Sequence, residues 1–232
     1  MSTEVVFLID VDNTLLDNDR VIADLRAHLE REFGAASAGR YWAGLERLRS
    51  ELGYVDYLGA LQRYRAEIDH RGDGDRRLLQ MASFLLDYPF ADRLYPGALE
   101  VIAGLDALGP TVILSDGDVV FQPRKVERSG VWRAVQGRVL IYVHKEQMLD
   151  QVQRFYPARR YVMIDDKLRL LAAMKGVLGE RLRTVFVRQG HYALDSADVA
   201  RYPAADRTIA SIGDLLTLDV GRWLDLVPQE TA

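Results

Sequence analysis

Short apolar runs rich in β-branched residues recur along the chain, at Val5 to Ile9, Thr111 to Leu114, Val139 to Val143, Arg160 to Ile164 and Thr184 to Val187. Runs this short and this continuously apolar are what strands buried on both faces require. Stretches with helical spacing lie between them: Ala98 to Leu108, Val119 to Ser129, Lys145 to Phe155 and Leu168 to Leu178. Gly109-Pro110, Gly130 and Gly179 supply stop signals. Strands alternating with helices predict an α/β fold with a parallel central sheet covered on both sides. A last short strand near Arg207 to Ile209 and a helix from Ser211 to Leu216 are expected to close it, ahead of a polar tail after Val227.

One stretch breaks the alternation. Between Leu16 and Leu94 the pattern is helical throughout and offers no convincing strand. Val21, Leu25, Leu29 and Phe33 recur at helical spacing, as do Leu45, Leu48 and Leu52, and Gly72-Asp73-Gly74 marks a turn. The stretch is too long for an ordinary crossover. The expected organisation is a core of residues 1–15 and 95–232, with residues 16–94 inserted as a helical domain of about 79 residues.

Composition then narrows the classes. The 232 residues are 49% hydrophobic and 28% charged, which suits a packed globular chain rather than a disordered one. A formal charge of −4, with Lys and Arg dispersed, gives no basic face for nucleic acid. With no cysteine there is no disulfide, thiolate metal site or cysteine nucleophile. The first residues lack a basic, apolar leader and no segment reaches the roughly 20 apolar residues of a membrane span, so a cytoplasmic, soluble protein is expected. No protein partner is evident.

The chemistry gathers at strand ends, where parallel sheets bind ligands. Asp10 and Asp12 follow the run V-V-F-L-I in the sequence D-V-D-N-T. If the backbone stays extended, residues two apart point to the same side, with Cα atoms roughly 6–7 Å apart. Two like charges held there need a cation, and Mg²⁺, which prefers oxygen ligands, fits such a pair and phosphate oxygens alike. The competing reading is a turn in which Asp and Asn cap backbone groups. Ser115, after V-I-L, offers a hydroxyl and the backbone N–H groups of the Asp116-Gly117-Asp118 turn to a phosphoryl oxygen; a helix cap is its plainer reading. Lys145, just past the third strand, is placed to neutralise phosphate, whereas its rival Lys125 lies inside a predicted helix, well past a strand end. Asp165-Asp166 after Y-V-M-I repeats the acid pair, and acids directly behind a buried strand are costly unless paired or metal-bound.

In that order these residues resemble the four motifs of the haloacid dehalogenase superfamily: Asp10-Val11-Asp12-Asn13-Thr14, then Ser115, Lys145 and Asp165-Asp166. The resemblance covers nearly the whole core. It implies a Rossmann-like three-layer sandwich, with the insertion after the first motif as a helical cap; Tyr95-Pro96-Gly97, re-entering the core, also looks familiar for these proteins. It further implies an Mg²⁺-dependent phosphatase acting on a small phosphate ester. Asp10 would attack phosphorus to give an aspartyl-phosphate, and Asp12 would serve as general acid and then base. The metal would be held by the Asp10 side chain, the Asp12 carbonyl and Asp165, with Asp166 in support. Ser115 and Lys145 would orient the phosphoryl group, with Asn13, Thr14, Asp116 and Gly117 contacting substrate. Two departures stand out. Arg169, Leu170 and Leu171 occupy a region where the family often has a further Asp or Asn, and Asp116 places an acid where a neutral residue is common.

Other chemistries are less well supplied. His28, His70, His144 and His191 show no metal-ligand spacing, with His144 the one candidate to face the pocket, and Trp42, Trp132 and Trp223 read as packing residues. No G-x-S-x-G, P-loop or G-x-G-x-x-G sequence occurs. Alternatives on the same fold are a 2-haloacid dehalogenase, which Asp12 argues against, a phosphomutase, and a non-catalytic binding protein. Arg20, Arg47, Arg49 and Tyr54 are the insertion residues expected to set selectivity.

Overall fold

The fold is that of a computed structural model, which describes residues 3–67 and 74–225. The expected turn at Gly72-Asp73-Gly74 falls partly outside those residues, as His70 and the tail after Val227 do entirely. Six strands form one sheet: β1 (Thr3–Ile9), β2 (Thr111–Asp116), β3 (Val139–Tyr142), β4 (Ala158–Asp165), β5 (Leu182–Val187) and β6 (Arg207–Ile209). Every pairing is parallel and the order is β3-β2-β1-β4-β5-β6. β1 is central, which explains its unbroken apolar run. Val5, Phe7 and Ile9 belong to one core cluster and Val6 and Leu8 to another, as a period of two demands when both faces are covered.

The register sets up the site. Ile9 lies opposite Ile113 on β2 and Ile164 on β4. Asp10 and Asp165 therefore leave their strands at one level, and Ser115 lies a residue further along β2. They meet where the strand order reverses direction about β1, the crevice in which open α/β sheets bind ligands.

Four helices separate β1 from the rest of the core: α1 (Asn18–Phe33), α2 (Ala35–Leu52), α3 (Tyr57–Glu67) and α4 (Gly74–Asp87). Asp17 caps α1 by accepting from the Arg20 N–H, and Gly53, in the left-handed region at φ 80°, ends α2. Val21, Leu25, Leu29, Leu45 and Leu48 are buried as their spacing predicts, whereas Leu52, at the end of its helix, is 39% exposed. The two connections pair with each other. Leu16 bridges Leu94 antiparallel, the Tyr95 N–H donates to the Leu15 carbonyl and the Asp17 N–H to that of Arg93.

Downstream come α5 (Ala98–Asp106), α6 (Phe121–Arg128), α7 (Val131–Ala134), α8 (Leu149–Phe155), α9 (Leu168–Leu178), α10 (Gly190–Leu194), α11 (Ser196–Val199) and α12 (Val220–Trp223). Two expected helices start differently. Lys145 sits in a 3-10 turn, Lys145–Gln147, ahead of α8, and the segment after Ser211 is a 3-10 run, Ile212–Leu216, opened by a Ser211/Asp214 capping box. No helix among the described residues is long and apolar enough to cross a membrane.

Candidate active site

Asp10 is 3% exposed, and its two oxygens have different surroundings. Oδ1 accepts from Lys145 Nζ at 2.6 Å and from Ser115 Oγ at 3.1 Å, while Oδ2 is buried without a partner. Two donors fix the carboxylate and leave one oxygen free to react or to bind a cation. Ser115 Oγ in turn accepts from Gln122 Nε2 at 3.1 Å, so its hydroxyl is aimed from α6. Lys145 is fully buried; its ammonium also lies 2.7 Å from Asp165 Oδ2 and donates to the Leu114 carbonyl at 3.3 Å. Desolvation would lower its pKa, but Asp10 and Asp165 overcome that and hold the ammonium protonated well above the ordinary lysine range.

Asp10, Asp165 and Asp166 bring carboxylate oxygens within 4.8 Å of one another. Asp165 Oδ1 accepts from the Lys167 N–H at 2.8 Å, but both oxygens of Asp166 are buried without a hydrogen bond. Desolvation, and then the neighbouring Asp165, push the Asp166 carboxyl well above the usual carboxylate range, and Asp165 is raised in the same sense by burial. A buried acid without a donor, beside two others, is strongly unfavourable unless a proton or a cation joins it. The donor set, all hard carboxylate oxygen, fits a divalent cation such as Mg²⁺.

The other expected residues sort differently. Asp12 is absent from this cluster: its carboxylate turns to Lys125, whose Nζ donates at 2.7 Å. Asn13 holds the loop in shape at a left-handed φ of 60°; its carboxamide donates to Asp19 and accepts from the Asn18 and Asp19 N–H groups. A Cβ on Gly190 would sit 2.4 Å from Asn13, so only glycine allows α10 to approach. Thr14 Oγ1 is buried without a partner. Asp116, whose carboxyl burial raises, accepts the Lys145 N–H at 2.8 Å and so shapes the turn that delivers the lysine.

Lys125, the rejected rival, is 1% exposed and belongs to the site after all. It shares the inward face of α6 with Phe121, Gln122 and Val126, a lysine at a position that helical spacing assigns to the core. That mismatch was the available signal. Lys167, directly after the acid pair, was also missed; Asp10, Asp166 and Asp165 raise its pKa against desolvation, and its Nζ lies 5.0 Å from the Tyr192 ring.

Outside the acid cluster, a cleft of about 300 Å³ lies between Tyr54, Leu58 and Gln62 on one side and Gly117, Val119, Val120 and Val143 on the other. Arg49 Nη2 reaches Tyr192 OH at 3.4 Å, whereas Arg20 and Arg47 pair with Asp24 and Glu67 on exposed helix faces. His144 is exposed beside Gly53, His28 stacks on Phe84, and His191 pairs with Asp19.

The sequence profile of the haloacid dehalogenase-like hydrolases matches residues 5–177. The chain belongs to that family. A haloacid dehalogenase-like hydrolase from Burkholderia xenovorans LB400 is 65% identical, with 94% of this chain and 100% of that one covered and a TM-score of 0.87. Two more distant structures share the fold. The HAD-hydrolase YfnB of Bacillus subtilis, solved bound to magnesium, is 18% identical over 93% of this chain and 98% of its own, with a TM-score of 0.58. The L-2-haloacid dehalogenase of Xanthobacter autotrophicus, solved with chloropropionic acid covalently bound, is 19% identical over 94% and 98%, also with a TM-score of 0.58. No curated protein matches the chain. As a HAD-like hydrolase the protein acts on small molecules, and its buried Asp10, Asp165 and Asp166 are suited to a divalent metal.

Proposed function

We propose that this hydrolase is an Mg²⁺-dependent phosphatase that cleaves a small phosphorylated metabolite through an aspartyl-phosphate on Asp10. The observation that carries this reading is the asymmetry of Asp10, with one oxygen fixed by Lys145 and Ser115 and the other free beside the unpartnered acid Asp166. Displacement of halide has no evident use for two further buried acids, which favours phosphate over 2-haloacids.

Mg²⁺ held by Asp10, the Asp12 carbonyl and Asp165, with Asp166 in support, would neutralise phosphate charge and orient it. Asp10 Oδ2 attacks phosphorus while Lys145 and the Ser115 hydroxyl hold the phosphoryl group. Asp12 gives a proton to the leaving oxygen and then takes one from the water that hydrolyses the aspartyl-phosphate. Gly117 and the turn around it flank the phosphoryl position. The helices of residues 16–94 act as a cap on the two paired connections at Leu16 and Leu94, so closure excludes water. The cleft beside the cap, about 300 Å³, suits a metabolite rather than a folded phosphoprotein.

The test is hydrolysis of p-nitrophenyl phosphate with Mg²⁺ and its loss with chelator, together with rapid-quench mass spectrometry of wild type and Asp10→Asn. Phosphate on wild type but not on Asp10→Asn is expected. Halide release from 2-haloacids without metal, and no phosphate release, would overturn the reading; transfer of phosphate to a second hydroxyl in place of water would make the enzyme a mutase.

A further inference from the structure

Lys125 is the buried charge that the steps above leave without a role. A lysine on the inward face of a helix is costly unless its ammonium is paired. This one is paired twice, donating to Asp12 Oδ1 at 2.7 Å and to Asn18 Oδ1 at 2.9 Å, and it lies 5.4 Å over the Phe121 ring. It does not duplicate Lys145, which alone of the two contacts Asp10. The Asp12 side chain stays 25% exposed, and among the described residues no hydrogen bond reaches its Oδ2. The ammonium thus fixes the carboxyl through Oδ1 and leaves Oδ2 without a hydrogen bond. Its second acceptor, Asn18, opens α1, just past the paired connection at Leu16. One buried ammonium therefore joins the proton-transfer group to the first residue of the helical segment.

We propose that Lys125 is a positioning residue that holds Asp12 for proton transfer to the leaving group and, through Asn18, makes that hold depend on the placement of α1. The proposal rests on the phosphatase reading. In the first step an Asp10 oxygen bonds to phosphorus, the ester P–O bond breaks, and the proton on Asp12 Oδ2 passes to the leaving oxygen. In the second, water attacks phosphorus, its proton returns to Asp12, and the bond to Asp10 breaks to release phosphate and the free carboxylate.

Proton transfer matters most when the leaving oxygen is basic. An alkyl phosphate needs it, whereas 2,4-dinitrophenyl phosphate loses a stable phenolate without it. With Mg²⁺ present, Lys125→Met should lower kcat/KM for an alkyl phosphate by about 10²-fold or more, the usual worth of general acid help, and for the dinitrophenyl ester by less than about 10-fold. Lys125→Arg should restore much of the alkyl activity. Asn18→Ala, which strands no buried charge, should shift the ratio of the two rates in the same direction and less far, and it decides the matter if Lys125→Met does not fold. Equal losses on both esters, or an unchanged ratio in Asn18→Ala, would overturn the role given to Lys125 and leave the phosphatase reading standing. A wild-type enzyme inert toward both esters would overturn that reading and this proposal with it.

Discussion

The strand ends and the helical segment above them are built on opposite terms. At the strand ends, Asp10, Lys145, Asp165 and Asp166 are almost wholly buried, and Lys145 joins Asp10, 135 residues away in sequence, to Asp165. On the helical segment many of the charged contacts are local and exposed, as in Arg20–Asp24 and Arg49–Glu46, while a few, such as Arg93–Asp24 and His191–Asp19, reach far along the chain. Only the first set is shielded enough from water for each charge to be felt strongly by the next. Surface pairs of the second kind contribute about 0–1 kcal/mol. On the proposed function, the chemistry lies with the buried groups at the strand ends, and selectivity falls to the helical segment.

The largest effect should follow from removing the ammonium between two of the buried acids. Lys145→Met leaves Asp10 and Asp165 without their shared partner, and breaking a buried pair in this way costs on the order of 3–5 kcal/mol. Phosphatase activity should vanish, and the melting temperature should fall without metal and recover in part with Mg²⁺. Denaturant unfolding with and without Mg²⁺ measures both. A variant as stable as wild type without metal would show that the cluster is not held by Lys145.

A second, smaller effect comes from the acid cluster itself. Burial raises the carboxyls of Asp165 and Asp166, so the folded protein holds protons that the unfolded chain gives up near pH 4. Without metal, stability should therefore fall as pH rises from about 4 through those raised values. Mg²⁺ should cancel the decline. Asp24 and Asp206 act in another window: hydrogen bonds hold both below the usual range against their desolvation, so their contribution is present above pH 4 and lost on further acidification. Asp166→Asn should raise the metal-free melting temperature at neutral pH and flatten its decline with pH above about pH 4. Scanning fluorimetry with chelator or Mg²⁺ reads this; a slope unchanged by Asp166→Asn would place the pH dependence elsewhere.

The same contrast governs what could be read from the sequence. Strand runs and the acids behind them were legible because an apolar run ends abruptly, and α9 appears over the expected residues, Leu168–Leu178. The helical character of residues 18–67 and 74–87 was legible from spacing. Lys145 was found by its place at a strand end, but its 3-10 turn was not, since three residues carry no periodicity. Lys125 and Gln122 were passed over because their roles arise from which face of α6 packs inward, a tertiary fact. Short helices such as α10 were missed for lack of length, and with them Tyr192, which meets the helical segment at Arg49.

The smallest effect tests that meeting point. Of the arginines expected to set selectivity, all three pair with acids of their own segment, but Arg49 also crosses to Tyr192 on the core. Its side chain is 47% exposed and the contact is long at 3.4 Å, so it contributes little to stability. Burial first, and then Asp12, raise the hydroxyl of Tyr57, while Arg49 opposes them, so Asp12 and Arg49 each lie within electrostatic reach of Tyr57. On the proposed function, losing a partly exposed guanidinium near Tyr57 should alter substrate binding rather than the bond-breaking step. Arg49→Ala is expected to change KM for small phosphate esters by a few-fold, within the roughly 1 kcal/mol of an exposed pair, with kcat nearly unchanged. Arg20→Ala and Arg47→Ala should leave both constants alone. Steady-state kinetics on the three variants decides, and equal effects from Arg20 and Arg49 would show that the Arg49–Tyr192 contact has no part of its own in substrate binding.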